Sequence, residues 1–412
     1  MAITDKEQGV WIVDQVYNKI NEGGIWQYSS DQSQLMGWGR NITGSLGLNN
    51  LTSLSSPTQL PGTTWSHTGL FRGHGNEGGY NNGLIRTDGT LWVMGENGEG
   101  HLGLNDLVGH SSPIQVGTDA TWSHGCQLND AMAAIKTTGS LWTWGANSYG
   151  QLGHGQWGGP PNRYRKSSPT QLPGSDWSKI GSGSAFMGAI KTDGTLWTWG
   201  ANVNGKLGRN QASWPGSKSS PNQVPGTNWA QLACGQTHMN AVKVDGTMWG
   251  WGQGHHGVLG NNLGYPSPSY EFSSPIQCGT DTNWSTSDDT LLQAALVAGS
   301  VKTDGTLWMW GHNGQGVLGQ NQAHAQLGDA SSPMQIGTGT NWRSIHRAGQ
   351  QGPGAAGVVA TKTDNTAWFW GYGQAGASGL NSNIRYSSPV QIPGSWLGYA
   401  GGGGAIHMFK ML

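Results

Sequence analysis

The stretch Ala189-Ile190-Lys191-Thr192-Asp193-Gly194-Thr195-Leu196-Trp197-Thr198-Trp199-Gly200 decides the fold. Two apolar, strand-forming halves flank Asp193-Gly194, and an Asp-Gly pair accepts the positive backbone angles of a two-residue type I′ turn. The stretch predicts a β-hairpin.

The hairpin recurs as Ile85 to Trp92, Val242 to Trp249 and Val301 to Trp308, and its turn is altered to Thr138-Gly139 and Asp364-Asn365 in two more copies. Its second aromatic position falls at Trp38, Met94, Trp144, Trp199, Trp251, Trp310 and Trp370, seven units spaced 50 to 60 residues apart. A period of this length along nearly the whole chain indicates one closed array rather than several unlike domains.

Outward from the hairpin, each unit runs to a tight Gly-x-Leu-Gly turn, from Gly44 to Gly47 through to Gly316 to Gly319; the seventh departs as Gly376-Ala377-Ser378-Gly379. Ser-Ser-Pro then opens a second strand at Pro57, Pro113, Pro169, Pro221, Pro275, Pro333 and Pro389, where a missing N–H is tolerated. A third strand follows Trp65, Trp122, Trp177, Trp229, Trp284, Trp342 and Trp396, and the fourth is the apolar run into the next turn. Four strands per unit make a propeller blade. The fold class is therefore all-β, a seven-bladed β-propeller over residues 31–412.

The two ends carry the closure. The array begins on Leu35-Met36-Gly37-Trp38 without its hairpin partner and ends on Ala405-Ile406-His407-Met408-Phe409 without its successor. Pairing of these terminal strands rebuilds the hairpin, closes the ring and removes exposed sheet edges.

Composition narrows the function. Seventy-one glycines and only 10% charged residues suit short strands and tight turns. A formal net charge of −1 provides no field to gather nucleic acid or an anionic membrane. Cys126, Cys234 and Cys278 lie far apart without a CxxC, which points to buried free thiols rather than a zinc site or disulfide framework. No run approaches the length of a membrane span, and the N-terminus lacks the basic-then-apolar order of a signal peptide, so the chain reads as soluble and unprocessed.

Residues 1–30 lie outside the repeat. Val13, Val16, Tyr17 and Ile20 have helical spacing, Gly23-Gly24 stops the helix, and Trp11 and Trp26 flank it. This segment reads as an attachment arm that docks on a partner; packed on its own ring, it would instead be a cap.

Leu141-Trp142-Thr143-Trp144-Gly145-Ala146-Asn147-Ser148-Tyr149-Gly150-Gln151-Leu152-Gly153 resembles the repeat of the regulator of chromosome condensation family of seven-bladed propellers. The resemblance covers about residues 35–412 and implies the propeller fold. Members of that family use it for guanine-nucleotide exchange, photoreception or inhibition, so function does not follow from the fold. The wedge used for nucleotide exchange and the basic groups used for chromatin docking have no match here. Of the tryptophan and arginine pairs of photoreceptor members, only Trp342-Arg343 is similar. The run Gly9-Val10-Trp11-Ile12-Val13-Asp14-Gln15-Val16-Tyr17-Asn18-Lys19 is similar to N-terminal segments of bacteriophage virion proteins.

No catalytic constellation emerges. Asp88, Asp193, Asp245, Asp304 and Asp364 are needed in turns, and adjacent Asp288 and Asp289 would point to opposite faces of a strand. His255-His256 has no acidic or thiol ligand nearby in sequence, so no metal is assigned. His238 occupies a histidine position of the repeat family and reads as structural. No phosphate-binding loop or nucleophile elbow appears, and no cofactor is implied.

Loop length is more informative. Between the Leu-Gly and Ser-Ser-Pro motifs, units one, two and seven have 7 residues, whereas units three to six have 13, 10, 12 and 11. Equivalent loops emerge on one face of a propeller. The inserts carry Trp157, Arg163, Tyr164 and Arg165, then Trp214 and Pro215, then Tyr265, Tyr270 and Phe272. Trp157, Arg163, Tyr164, Trp214, Tyr265 and Tyr270 are the candidate partner-binding residues, because aromatic and arginine side chains give much contact at low ordering cost.

The sequence reading is thus a non-enzymatic phage virion structural protein, tail or capsid-associated. Its arm, through Trp11, Val13, Val16, Tyr17, Ile20 and Trp26, would dock to other virion proteins, and its propeller face would meet a host surface protein or glycan. The alternative is a soluble, cytoplasmic interaction module that regulates a cellular protein. Neither reading involves nucleic acid or membrane insertion.

Overall fold

The computed structural model describes residues 33–62, 64–73, 81–158, 164–211, 216–263, 270–294, 296–322, 324–348, 357–402 and 404–411. Residues 1–32, and with them the proposed arm, lie outside this set. The described residues form seven four-stranded antiparallel blades. Blade three is typical, and from the channel outward its strands are Trp122–Gln127, Ala131–Lys136, Leu141–Gly145 and Lys166–Gln171.

Closure follows the sequence reading. Ser33–Gly39 pairs with Ala405–Met411, with Leu35 opposite Phe409 and Trp38 opposite Ile406. Trp396–Gly402 and Leu54–Gln59 complete this first blade. Inner strands of blades one, two and three also touch in parallel at the channel, where fully buried Phe71 fills the space left by Gly83 and Gly125.

The hairpin turn differs from expectation. Gly89 N–H donates to Arg86 O and Arg86 N–H to Thr90 O, both at 2.9 Å. Thr87-Asp88-Gly89 is thus a three-residue loop, and only Gly89 is left-handed, at φ 81°. This is a type I turn followed by a G1 bulge, not the type I′ turn expected from Asp-Gly alone. Asp88 serves the next strand instead: its Oδ1 accepts from Thr90 N and Oγ1 at 2.9 and 2.6 Å, and Thr90 Oγ1 accepts the Trp92 indole N–H at 2.9 Å. These bonds to the charged form hold the Asp88 carboxyl below its ordinary range.

The tryptophans are spent on packing. Trp122 lies 6.1 Å from both Trp142 and Trp144, and the Lys136 ammonium sits 4.7 and 4.0 Å from the Trp122 and Trp142 rings. Arg86, Lys191, Lys243, Lys302 and Lys362 repeat this cation–π stack in blades two and four to seven.

Blades are joined by two bonds that explain the remaining motifs. The Trp144 indole donates to His101 O of the preceding blade at 2.9 Å, and Trp199, Trp251, Trp310 and Trp370 do the same to Gln151, Lys206, Val258 and Val317. Each acceptor is the variable residue of a Gly-x-Leu-Gly turn. The turn also seats on the first serine of the next Ser-Ser-Pro: Asn105 N–H reaches Ser167 O at 2.7 Å, and a Cβ on Gly100 would come within 2.8 Å of Ser167 Cα. Glycine there is a condition of blade contact.

Candidate interaction face

Every outermost connection starts at the end of the third strand away from the hairpin turn. The six hairpin turns, with the paired Ser33 and Met411 in the first blade, therefore share one face and the seven connections share the other. Side-chain exposure separates these faces. Ten of the twelve exposed large apolar residues among the described residues lie in the connections: Ile42, Leu51, Leu107, Val108, Tyr149, Trp157, Tyr164, Val203, Leu263 and Ile384. The turn face presents Val244, and Ile114 lies on an outer strand.

Of the sequence candidates, Trp157 and Tyr164 are 51% and 41% exposed on blade three. Tyr270 is half-buried on blade five, and its carbonyl accepts Gly254 N–H at 2.7 Å. Blade four stands between them. Arg163, Trp214 and Tyr265 lie outside the described residues. Sequence reasoning missed Ile42, Leu51, Leu107, Val108 and Ile384, because their loops are short and only insert length was weighed.

Rigid anchors hold this face. Lys206 is buried, and its ammonium donates to Ser184 O at 2.8 Å and Gln236 O at 3.4 Å, tying the inner loops of blades four and five. Burial draws its pKa down to about 8. Toward the opposite, turn face, Asp288 pairs with Lys179 at 2.6 Å, linking blades six and four.

Other candidates resolve as structural. Arg343 donates to Asn365 Oδ1 at 2.9 Å and Trp396 O at 3.2 Å, which stitches blade seven to blade one. His238 is fully buried at the start of its strand. Cys126, Cys234 and Cys278 are buried free thiols, and burial pushes Cys126 and Cys278 up to about 12. His256 does acquire an acidic neighbour, Asp329 of the next blade, at 2.5 Å. The expectation that it had none considered neighbours in sequence only.

Residues 138–190 and 193–242 match the Regulator of chromosome condensation (RCC1) repeat. The chain is 27% identical over 224 residues to the Ultraviolet-B receptor UVR8 of Arabidopsis thaliana, covering 52% of this chain and 45% of that protein. It thus spans about half the length of this curated relative. Human WBSCR16 superposes with a TM-score of 0.75 at 18% identity, covering 92% of this chain and 98% of that one. Prp20p of Saccharomyces cerevisiae, described with its binding properties to Gsp1p and histones, gives 0.75 at 16% identity, with 92% of each chain covered. At these identities the two structures attest the fold. No helix among the described residues is long and apolar enough to cross a membrane. The chain is a seven-bladed propeller in which residues 138–190 and 193–242 match the repeat of the regulator of chromosome condensation.

Proposed function

We propose that this propeller is a non-enzymatic interaction module that docks a protein partner on its connection face and regulates it, working in the cytoplasm. The observation that carries this reading is the gathering of exposed apolar side chains on one face. Single exposed apolar residues are ordinary on a protein surface, but a one-sided concentration on a rigid ring marks a contact surface. The description of Prp20p by its binding to Gsp1p and histones supports a protein as the partner class. Trp157 and Tyr164 are the anchors, because exposed aromatic side chains lose little entropy on docking.

Alanine at Trp157 and Tyr164 together should weaken partner binding by about 10-fold or more, as for interface anchors. Alanine at Val244 on the opposite face should leave it unchanged. Equal loss from both faces, or no loss from either, would remove the reading.

A finer reading puts the same module on a phage particle, with the connection face meeting a host surface protein or glycan. The N-terminal run from Gly9 to Lys19 supports it. Residues 1–30 fused to a reporter should then be incorporated into particles, and a reporter left out of purified particles would dismiss it.

A further inference from the structure

The junction between blades five and six holds a cluster that the repeat does not require. Strand Leu307–Gly311 pairs with Ala330–Gln335, and a register shift after Met309 sets Gly311 opposite Ala330. One step further along the ladder, His312 and Asp329 face each other, with His312 Nδ1 2.9 Å from Asp329 Oδ1. Blade five contributes the third group. Its turn at Gly254 to Gly257 seats on Ser331, where a Cβ on Gly257 would lie 2.3 Å from Ser331 Cα, and this carries His256 Nδ1 to 2.5 Å from Asp329 Oδ2. The two imidazole centroids are 4.5 Å apart. Asn313 N–H fixes the carboxylate by donating to Asp329 Oδ1 at 3.1 Å.

The same three positions at other junctions hold other chemistry. Between blades two and three they are Glu99, Ala146 and Arg165, and Arg165 pairs with Glu99 at 3.6 Å. Between blades six and seven they are Gln315, Tyr372 and Arg385, and the Arg385 guanidinium lies 5.5 Å from the Tyr372 ring. Only the junction of blades five and six supplies two imidazoles and a carboxylate at these positions. The left-handed backbone of His256, at φ 58°, belongs to the repeat, since Asn204 and Ala375 share it at 64° and 53°. The side chains, not the backbone, are what is special here.

We propose that His256, His312 and Asp329 bind one divalent transition-metal ion of the zinc type, bridging blades five and six. Imidazole nitrogen with carboxylate oxygen is a donor set that suits zinc. The donor atoms all lie within 4.8 Å of one another. Ligand atoms around a tetrahedral ion with bonds of about 2.1 Å stand roughly 3.4 Å apart, so small side-chain rotations complete the site. On binding, the ion takes the Nδ1 lone pair of each neutral imidazole, and the single ring proton of each stays on Nε2. The side chains of His256, His312 and Asp329 are 27%, 18% and 19% exposed, which gives the ion a path in. Three protein ligands leave a position for water or an incoming group on the connection face. Without metal, the same groups would form a hydrogen-bonded bridge analogous to Glu99 and Arg165. The two cases differ in their response to added ion.

The test is calorimetric titration of zinc chloride into the full chain after chelator treatment, with cobalt chloride as an optical probe. The expected result is one zinc per chain and visible cobalt absorption that zinc abolishes. Asp329→Asn, which keeps the side-chain shape but an oxygen toward only one imidazole, and His312→Gln should each weaken zinc at least about 10-fold. His255→Ala should not. Circular dichroism checks that the variants fold; if His312→Gln does not, Asp329→Asn and the cobalt spectrum of the unsubstituted chain decide. Failure of the unsubstituted chain to bind zinc stoichiometrically, or unchanged binding by Asp329→Asn, would overturn the site. Neither outcome depends on whether the connection face has a protein partner.

Discussion

Trp38 of the first blade donates its buried indole N–H to the carbonyl of Ala377 in the seventh, at 3.2 Å across 339 residues of sequence. The same indole bond joins every other pair of neighbouring blades except one and two, so the seventh blade is sealed to the first by the means that hold most of the ring together. Phenylalanine at Trp199, whose indole reaches Gln151 O at 2.8 Å, keeps an apolar ring but leaves a buried carbonyl without its donor. Urea unfolding should show a loss of about 1–3 kcal/mol from that carbonyl, with cavity cost added. A loss below about 0.5 kcal/mol would mean that packing alone joins the blades.

Ring closure is tested by ending the chain at Gly404. The truncation removes Ile406, Met408 and Phe409 from the core and bares the edges of Ser33–Gly39 and Trp396–Gly402. At about 2 kcal/mol for each buried large apolar side chain, the loss is at least about 5 kcal/mol, much of the stability of a typical domain. Thermal melts should lose cooperativity, and size-exclusion chromatography should show association through the bared edges. An unchanged melting temperature would contradict closure.

Acid sensitivity follows from two buried histidines. Burial lowers His101 and His407 to about 4. His407 Nε2 lies 3.3 Å from Leu46 O, and its Nδ1 lies 3.2 Å from Asn82 Nδ2, which also donates to Ser45 O at 3.2 Å. That arrangement suits a neutral ring accepting at Nδ1. Ser45 is the turn position that a tryptophan would bond at other junctions, and Asn82 takes this role where Met94 replaces the indole. Because the native histidines bind fewer protons than the unfolded ones, their stabilisation is complete above the unfolded pKa of about 6.5. It falls as pH drops toward about 4, by about 1.4 kcal/mol per pH unit for each ring. Urea unfolding between pH 7 and 4.5 should show this slope, and His101→Met should reduce it by the share of one ring. An unaltered slope in that variant would exclude His101 as a contributor.

Much of the fold was legible because the repeat displays its period seven times over. The strands, their order, the closing pair and the two faces all follow from that period and from strand geometry. The turn type was misread at Thr87, since an Asp-Gly pair suits a two-residue loop and a three-residue loop alike and only the bond from Gly89 to Arg86 O distinguishes them. The Ser-Ser-Pro and Gly-x-Leu-Gly motifs were visible, but their mutual contact lies between blades and leaves no local signature. The cluster at Asp329 was illegible for the same reason: His256 is 73 residues away, and the pairing with His312 depends on a register shift. Trp157 and Tyr164 were found because they sit in the longest insert, whereas Leu51 and Val108 are exposed through position in the ring rather than loop length.

The proposed docking surface is the connection face. A photo-reactive phenylalanine analogue placed singly at Trp157, Tyr164 or Val244, with irradiation in native extract and mass spectrometry of the products, compares the two faces directly. Trp157 and Tyr164 should capture the same discrete protein and Val244 none, as docking on the connection face requires. Capture of that protein from Val244 alone, or equally from both faces, would contradict it.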